Sequence, residues 1–166
     1  TDANSTVWSH WIDDKSNYPT EAGQPGVGIF EGSLYNASGF YRPLSTSRMM
    51  SNFSDFGPIN AEQWILSTYS KTGAITRIHP ANTRVLSQPE TDMTFYIDTI
   101  YSNDIQTVTW FLDGEPVANS ADARSITISK PAGDYTLEVM VSDRTNKIRK
   151  QNTAANFTHS WALEVR

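Results

Sequence analysis

The chain contains no cysteine, which excludes disulfide bonds, cysteine-ligated zinc and a thiol nucleophile. It also lacks a cluster of positive charge, because its 13 basic and 18 acidic residues are spread along 166 positions and give a net charge of −5. Nucleic acid is therefore not an expected partner, since binding to phosphates needs concentrated Lys and Arg. The longest apolar runs, such as 139–141, are far below the ~20 residues that span a bilayer, so no membrane partner is expected.

Catalytic signatures are also scarce. The three histidines, His10, His79 and His159, never occur as His-x-x-x-His, and no Gly-x-Ser-x-Gly motif supports a serine nucleophile. A catalytic zinc ion needs about three protein ligands and one open position. We therefore expect no cofactor in this chain alone, and each histidine to be an ordinary packed or surface residue.

The residues that are present predict a folded protein with two different halves. Hydrophobic residues make up 38% of the chain and aromatic residues 11%, which is enough for a core. Residues 84–166 alternate between apolar and polar positions, a pattern typical of strands. The predicted strands cover 94–98, 107–112, 125–128, 135–141 and 159–165.

Three local signals make residues 84–166 look like an immunoglobulin-like β-sandwich. Asp113-Gly114 is a hairpin turn signal. Trp110 lies in the middle strand, where such domains bury a tryptophan, and Tyr135 follows Gly133-Asp134 as the tyrosine of a tyrosine corner would.

Residues 1–83 have little regular periodicity and are punctuated by glycines. A helix is predicted over 61–69 and a shorter one over 7–12. Long irregular stretches in a compact domain usually line a functional site. We place the boundary between the two domains at 83/84, between Pro80 and Pro89.

Four short segments of the first half carry a resemblance. They are GVGIFEG at 26–32, GFYRP at 39–43, SRM at 47–49 and FGPIN at 56–60. Together they resemble the region that follows the zinc-binding helix in the IgA-type metallopeptidase family. The resemblance covers roughly residues 7–69. Three cysteines of the family correspond here to Ser47, Gly57 and Asn60, so any disulfide or thiol packing they provide is absent.

The resemblance implies roles for several residues. Tyr41 would donate a hydrogen bond to the oxyanion formed during peptide hydrolysis, and Glu31 would act at the catalytic site, on the metal, its ligands or a substrate amine. Met49 would form the apolar floor beneath the zinc ion. The alternatives are ring packing for Tyr41, acceptance of backbone N–H groups for Glu31, and core filling for Met49.

Three further residues are weaker candidates by the same resemblance. Arg42 and Arg48 would pair with carboxylates of the catalytic domain or of the substrate, although a structural ion pair is the favoured explanation for both. Tyr35 is a weaker, supporting candidate for the same hydrogen bond to the oxyanion as Tyr41.

The family takes its zinc from a His-Glu-x-x-His helix upstream of this region, and this chain has no such motif. We therefore predict an α+β remnant of a zincin-type peptidase domain (1–83), followed by an all-β immunoglobulin-like sandwich (84–166). It would be the C-terminal fragment of a secreted, cell-surface or periplasmic bacterial zinc metallopeptidase, and inactive alone. Its partners would be the upstream catalytic segment and, through the intact parent, a peptide or protein substrate.

A second hypothesis is a non-enzymatic module that binds glycan or protein, with the sandwich as a spacer. Convergence of Glu31, Tyr41 and Met49 on one cavity would favour the peptidase. A flat exposed platform made of Trp8, Trp11 and Trp64 would favour the binding module. In a third hypothesis the first half is a remnant with no surviving function, and a large exposed apolar patch would mark the interface that it has lost.

Overall fold

The structure is a computed structural model that describes residues 3–16, 18–48, 50–149 and 155–166. It divides into two compact units. The N-terminal unit comprises the described residues up to Ile65 together with Arg149, and the sandwich unit comprises Leu66–Ile148 and the described residues from 155 onward.

The N-terminal unit is built from short elements. Its elements are two 3-10 turns (Ala3–Ser5 and Ser9–Trp11), strands β1 (Phe30–Ser33) and β2 (Asn36–Arg42), and the beginning of helix α1 (Pro58–Thr72). Strands β1 and β2 form an antiparallel hairpin. The small core contains Ile12 and Ile29, with Trp8, Tyr18 and Tyr41 among the residues packed against it.

The sandwich unit contains eight strands. They are β3 (Ile75–His79), β4 (Arg84–Ser87), β5 (Met93–Thr99), β6 (Gln106–Leu112), β7 (Glu115–Pro116), β8 (Ser125–Ile128), β9 (Gly133–Asp143) and β10 (Asn156–Val165). One sheet has the order β3-β5-β8 and the other the order β4-β10-β9-β6-β7. All pairs are antiparallel except β4 with β10.

The two sheets of this unit face each other across an aromatic core. Phe95 of β5 meets Trp161 of β10 edge to face, with ring centroids 5.3 Å apart. Trp110 of β6 stacks on Trp161 at 5.9 Å, and all three residues are 0% exposed. The indole N–H groups donate to Ala123 O and Pro80 O, which removes the penalty of burying them. Across its described residues the chain is thus mostly β-structure with one α-helix, and its second unit is a β-sandwich.

Sequence signals for the sandwich agree with this structure. Each of the five predicted strands lies within or overlaps an observed strand, and Asp113-Gly114 forms the two-residue turn between β6 and β7 with positive φ at both residues. Tyr135 donates its hydroxyl to Pro131 O, the contact of a tyrosine corner. These features give the sandwich an immunoglobulin-like character.

The first half differs more from expectation. The helix predicted over 61–69 is confirmed as Pro58–Thr72, whereas the one predicted over 7–12 is only a 3-10 turn at Ser9–Trp11. The boundary predicted at 83/84 stays a prediction. The two compact units divide after Ile65, and β3, which is hydrogen-bonded to β5, belongs to the sandwich unit.

Candidate functional site

The tip of the β1–β2 hairpin has an unusual backbone. Ser33 pairs with Asn36, so Leu34 and Tyr35 form a two-residue turn. Their φ angles are 51° and 63°, a left-handed conformation that such turns normally assign to Asn and Gly. Both side chains are exposed, Leu34 at 70% and Tyr35 at 111%. Two bulky residues therefore hold a strained conformation without burying their side chains.

Other exposed apolar side chains share the unit of this hairpin. Among the described residues, every exposed large hydrophobic side chain except Leu86 lies in the N-terminal unit. The members beyond the hairpin tip are Val7, Phe40, Met50, Phe53, Phe56 and Trp64. Phe53 is fully exposed. Single exposed hydrophobic residues are common on proteins, so the feature that distinguishes this unit is that it holds eight of the nine found among the described residues.

Glu31 and Tyr41 are brought together by the hairpin. They lie directly opposite each other in the β1–β2 register. Glu31 is exposed, and its Oε1 accepts the Gly39 N–H at 3.0 Å. A hydrogen bond with Tyr18, together with burial and the Glu31 charge, raises the pKa of Tyr41 to about 12. The phenol therefore stays protonated at neutral pH, and its ring packs against Tyr18 at 5.5 Å.

The remaining predicted residues lie apart from this pair. Arg42 closes the base of the hairpin by donating to Gly32 O and to Leu44 O, whereas Tyr35 is at the opposite end. Arg48 is exposed in the following loop, where its N–H donates to Asp55 O at 2.9 Å. Met49 lies outside the described residues. The catalytic and supporting roles of these residues stay predictions.

The three tryptophans of the first half do not share one exposed face. Trp11 is 7% exposed, and Trp8 packs on the Ile12–Ile29 core while donating to Gly28 O at 3.0 Å. Trp64 alone among them is strongly exposed, at 72%. The exposed apolar residues of this unit therefore do not form a tryptophan platform.

A buried carboxylate was not anticipated from the sequence. Glu62 is 3% exposed, and its Oε2 lies 2.6 Å from His10 Nε2 and 2.7 Å from Trp11 Nε1. Its Oε1 accepts the Arg149 N–H at 2.6 Å. The Arg149 guanidinium lies over the Trp11 ring at 4.6 Å and pairs with Asp13 Oδ1 at 2.8 Å. These contacts tie three sequence segments into one polar cluster.

The Glu62 cluster does not suit a catalytic zinc ion. Both carboxylate oxygens already receive N–H groups, and His10 is its one imidazole. Within the described ranges no group of three or more His, Cys, Asp or Glu could hold a metal. The resemblance places the zinc ligands on an upstream segment, so the expectation about zinc stays a prediction.

Comparison with known proteins gives no family. Neither the family models nor the curated proteins include a match to this chain. Similar solved structures include Bacteroides ovatus SGBP-B of a mixed-linkage glucan utilization locus, in complex with a mixed-linkage heptasaccharide. Its TM-score is 0.38 at 21% sequence identity. The match covers 49% of this chain and 19% of the chain of SGBP-B.

Another similar structure is that of the fibronectin(III)-like modules of Clostridium thermocellum CbhA. Its TM-score is 0.40 at 15% identity, and the match covers 54% of this chain and 94% of that chain. Both TM-scores lie below 0.5, so neither likeness assigns a function. As for the membrane, no helix in the described ranges is long and apolar enough to cross one.

Proposed function

We propose that this chain is a non-enzymatic binding module whose N-terminal unit recognises a partner protein through the tip of the β1–β2 hairpin. The observation that carries the proposal is the backbone of Leu34 and Tyr35. A left-handed conformation costs an L-residue roughly 1–2 kcal/mol. Asn and Gly would relieve this strain. Strain that persists at an exposed turn is typical of a functional segment.

The chemistry of the exposed residues supports a protein partner over a glycan. Alongside aromatic Tyr35 and Phe53, the unit exposes aliphatic Val7, Leu34 and Met50. Aliphatic and aromatic side chains together form the apolar centre of protein interfaces, where they are removed from water on binding. A secreted or cell-surface location is part of this proposal.

The test measures partner binding and folding stability separately. Leu34→Asn with Tyr35→Gly is expected to raise the free energy of unfolding of the N-terminal unit by about 1 kcal/mol, because the turn then has its preferred residues. The same double variant is expected to lose partner binding. Urea unfolding measures the first effect. Photo-crosslinking in the cells that make the protein identifies the partner, and titration of that purified partner with the wild type and the double variant measures the second.

For the crosslinking, a photoreactive phenylalanine replaces Tyr35, and in a matched control it replaces Leu86, the exposed apolar residue of the other unit. A discrete protein adduct at position 35 and none at 86 is the expected result. Equal adducts at both positions, or none at 35, would contradict the proposal. An adduct that contains polysaccharide would move it to the glycan alternative.

A second candidate is the one implied by the family resemblance: one wall of the cleft of a secreted zinc peptidase, completed by an upstream segment. The placement of Glu31 beside Tyr41 favours it, because a carboxylate and a phenol then lie on one face of the hairpin. Under this hypothesis the exposed apolar residues would cover the rest of the catalytic domain, and zinc would belong to the intact parent.

Calorimetric titration of the chain with zinc near pH 7 tests whether the metal site is incomplete here. The peptidase-fragment hypothesis expects binding no tighter than millimolar, since about three protein ligands are required. Stoichiometric micromolar binding would reveal a complete site in this chain and overturn its description as an inactive fragment. A His10→Ala variant would then show whether the Glu62 cluster is that site.

A further inference from the structure

The sandwich unit has a cleft along one side. A cavity of about 360 Å³ is lined by Gly73–Ile78, which includes most of β3, and by Phe157–His159 of β10. This volume falls within the range of sites that bind ligands in proteins. Apart from Gly73 and Ala74, the lining residues lie in strands, so the cleft presents mainly extended backbone to whatever enters it.

The wall formed by β10 has an open edge. Strand β4 pairs with β10 only over Ala162–Val165. On this side of β10, the Ala162 N–H donates to Thr83 O and the Arg166 N–H donates to Ser87 O. Because N–H direction alternates along a strand, the N–H groups of Thr158 and Ser160 point to the same edge. Within the described residues no strand pairs with them there.

The opposite wall is open as well. Strand β3 is the outermost strand of its sheet and pairs only with β5 within the described residues. Two neighbouring edges with unpaired backbone groups are a template for an additional strand. Proteins normally cover such edges or use them for binding.

A buried histidine nitrogen lies in the same cleft between β3 and β10. His159 lines the cavity, and its Nε2 is buried without a hydrogen-bond partner in the described part of the chain. Its ring is fixed edge-on against Trp161, with centroids 4.4 Å apart. Buried polar atoms nearly always have a partner, so this nitrogen indicates that something polar enters the cleft.

We propose that the cleft between β3 and β10 binds an extended peptide segment of a partner protein, which adds as a strand to the open edge of β10. Unpaired N–H and C=O groups in a row select extended backbone over a compact small molecule. Arg77 is the one charged residue in the lining, and its side chain is 68% exposed despite an ion pair with Asp98 at 3.4 Å. A peptide with an acidic residue fits this wall.

The test selects peptides of about twelve residues from a random displayed library on the immobilised full chain and measures their affinity by fluorescence anisotropy. Ser160→Pro removes one N–H from the open edge without removing a bond of the sheet. It is expected to weaken binding by about tenfold or more. Ser160→Ala is the matched control, because it keeps the N–H, and it should stay within about twofold of the wild type.

Hydrogen exchange of the unsubstituted chain provides a second readout that does not depend on how the proline variant folds. The Thr158 and Ser160 amides should exchange more slowly when peptide is bound. A library without binders, a binder indifferent to Ser160→Pro in a folded variant, or unchanged exchange at both amides would each overturn the proposal. A dimer of the chain in sedimentation equilibrium that Ser160→Pro abolishes would overturn it too, by assigning the edge to a second copy.

The proposal is independent of the function proposed for the hairpin. Its variants lie in the sandwich unit, whereas the crosslinking test probes Tyr35 in the N-terminal unit. Failure of one therefore leaves the other standing.

Discussion

At Glu62 a carboxylate that is almost completely removed from water receives N–H groups from three of the described residues. Two of these are adjacent, at His10 and Trp11, and the third is the backbone of Arg149. A buried charge is tolerated only where donors replace its lost hydration. The cluster therefore depends on all of its members, and removal of the carboxylate leaves buried donors without an acceptor.

Replacement of Glu62 by Ala is expected to destabilise the N-terminal unit by about 3 kcal/mol, because it creates a cavity lined by unsatisfied N–H groups. Glu62→Gln keeps one acceptor but turns an N–H₂ group toward existing donors, so it should lie between Ala and the wild type. Urea unfolding and amide exchange of Trp11 and Arg149 measure both. The exposed neighbour Gln63→Ala is the control, and an equal loss there would remove the special role of Glu62.

His159 gives a pH dependence whose sign can be stated. Burial lowers the pKa of His159 below its usual 6.5. As pH falls below 6.5, the unfolded state takes up a proton that the folded state resists, so stability decreases from there down to the lowered pKa. In His159→Gln the free energy of unfolding between pH 7 and 5 should fall less steeply than in the wild type. Parallel curves for the two proteins would show that burial of this ring does not affect its titration.

Among the elements, the turn before β9 is fixed by a single side chain. Tyr135 lies at the start of β9, and its hydroxyl returns to Pro131 O at 3.2 Å. Gly133, which precedes it, has a φ of 158°, and a Cβ there would come within 3.1 Å of the Tyr135 hydroxyl. A Cβ at position 133 would therefore crowd the corner tyrosine.

Tyr135→Phe should lower the free energy of unfolding of the sandwich by about 1 kcal/mol, the usual net value of one hydrogen bond, while the ring packing stays. Thermal unfolding followed by near-ultraviolet circular dichroism measures this. Tyr96→Phe is a suitable comparison, because that ring stacks on His79 at 5.0 Å in the same unit. A change at Tyr135 no larger than at Tyr96 would mean that the corner bond has no net effect.

On the scale of the whole molecule, the sandwich holds its own core. The residues that meet across its sheets, Phe95, Trp110 and Trp161, all belong to this unit. Tyr69, from the last turns of α1, is 1% exposed and donates to Asp143 Oδ2 at 2.7 Å while accepting from Gln106. The end of the helix is therefore part of the sandwich by its contacts.

A fragment of residues 66–166 is accordingly expected to fold and to unfold in one cooperative transition. Its near-ultraviolet circular dichroism should keep the signal of the stacked Trp110–Trp161 pair. Tyr69→Ala in this fragment should destabilise it by about 3–4 kcal/mol, since a large buried side chain with two polar partners is lost. A fragment without tertiary dichroism would show that the sandwich requires the N-terminal unit.

The candidate site was only partly accessible from the sequence. Glu31 and Tyr41 were singled out, and the structure places them side by side, because a hairpin joins positions 10 apart. That hairpin was not predicted, since Leu34-Tyr35 lacks the Asn and Gly that signal its turn. Glu62 could have been noticed as a charge at helical spacing from Leu66 and Tyr69, on a face expected to be buried. Nothing local linked it to Arg149.

Strand positions of the sandwich were determined by the sequence itself, because the alternation of side chains between two faces is a local property with a period of two. The Asp113-Gly114 turn and the corner tyrosine are local in the same sense. Which strands pair with each other is not a local property. Strand β4 pairs with β10 across about 80 positions of the chain, and Pro80 separates the short strands β3 and β4. The open edge at Ser160, the Glu62 cluster and the exposed Leu34-Tyr35 tip were therefore decided only by the tertiary structure, which sets which groups find partners and which remain free.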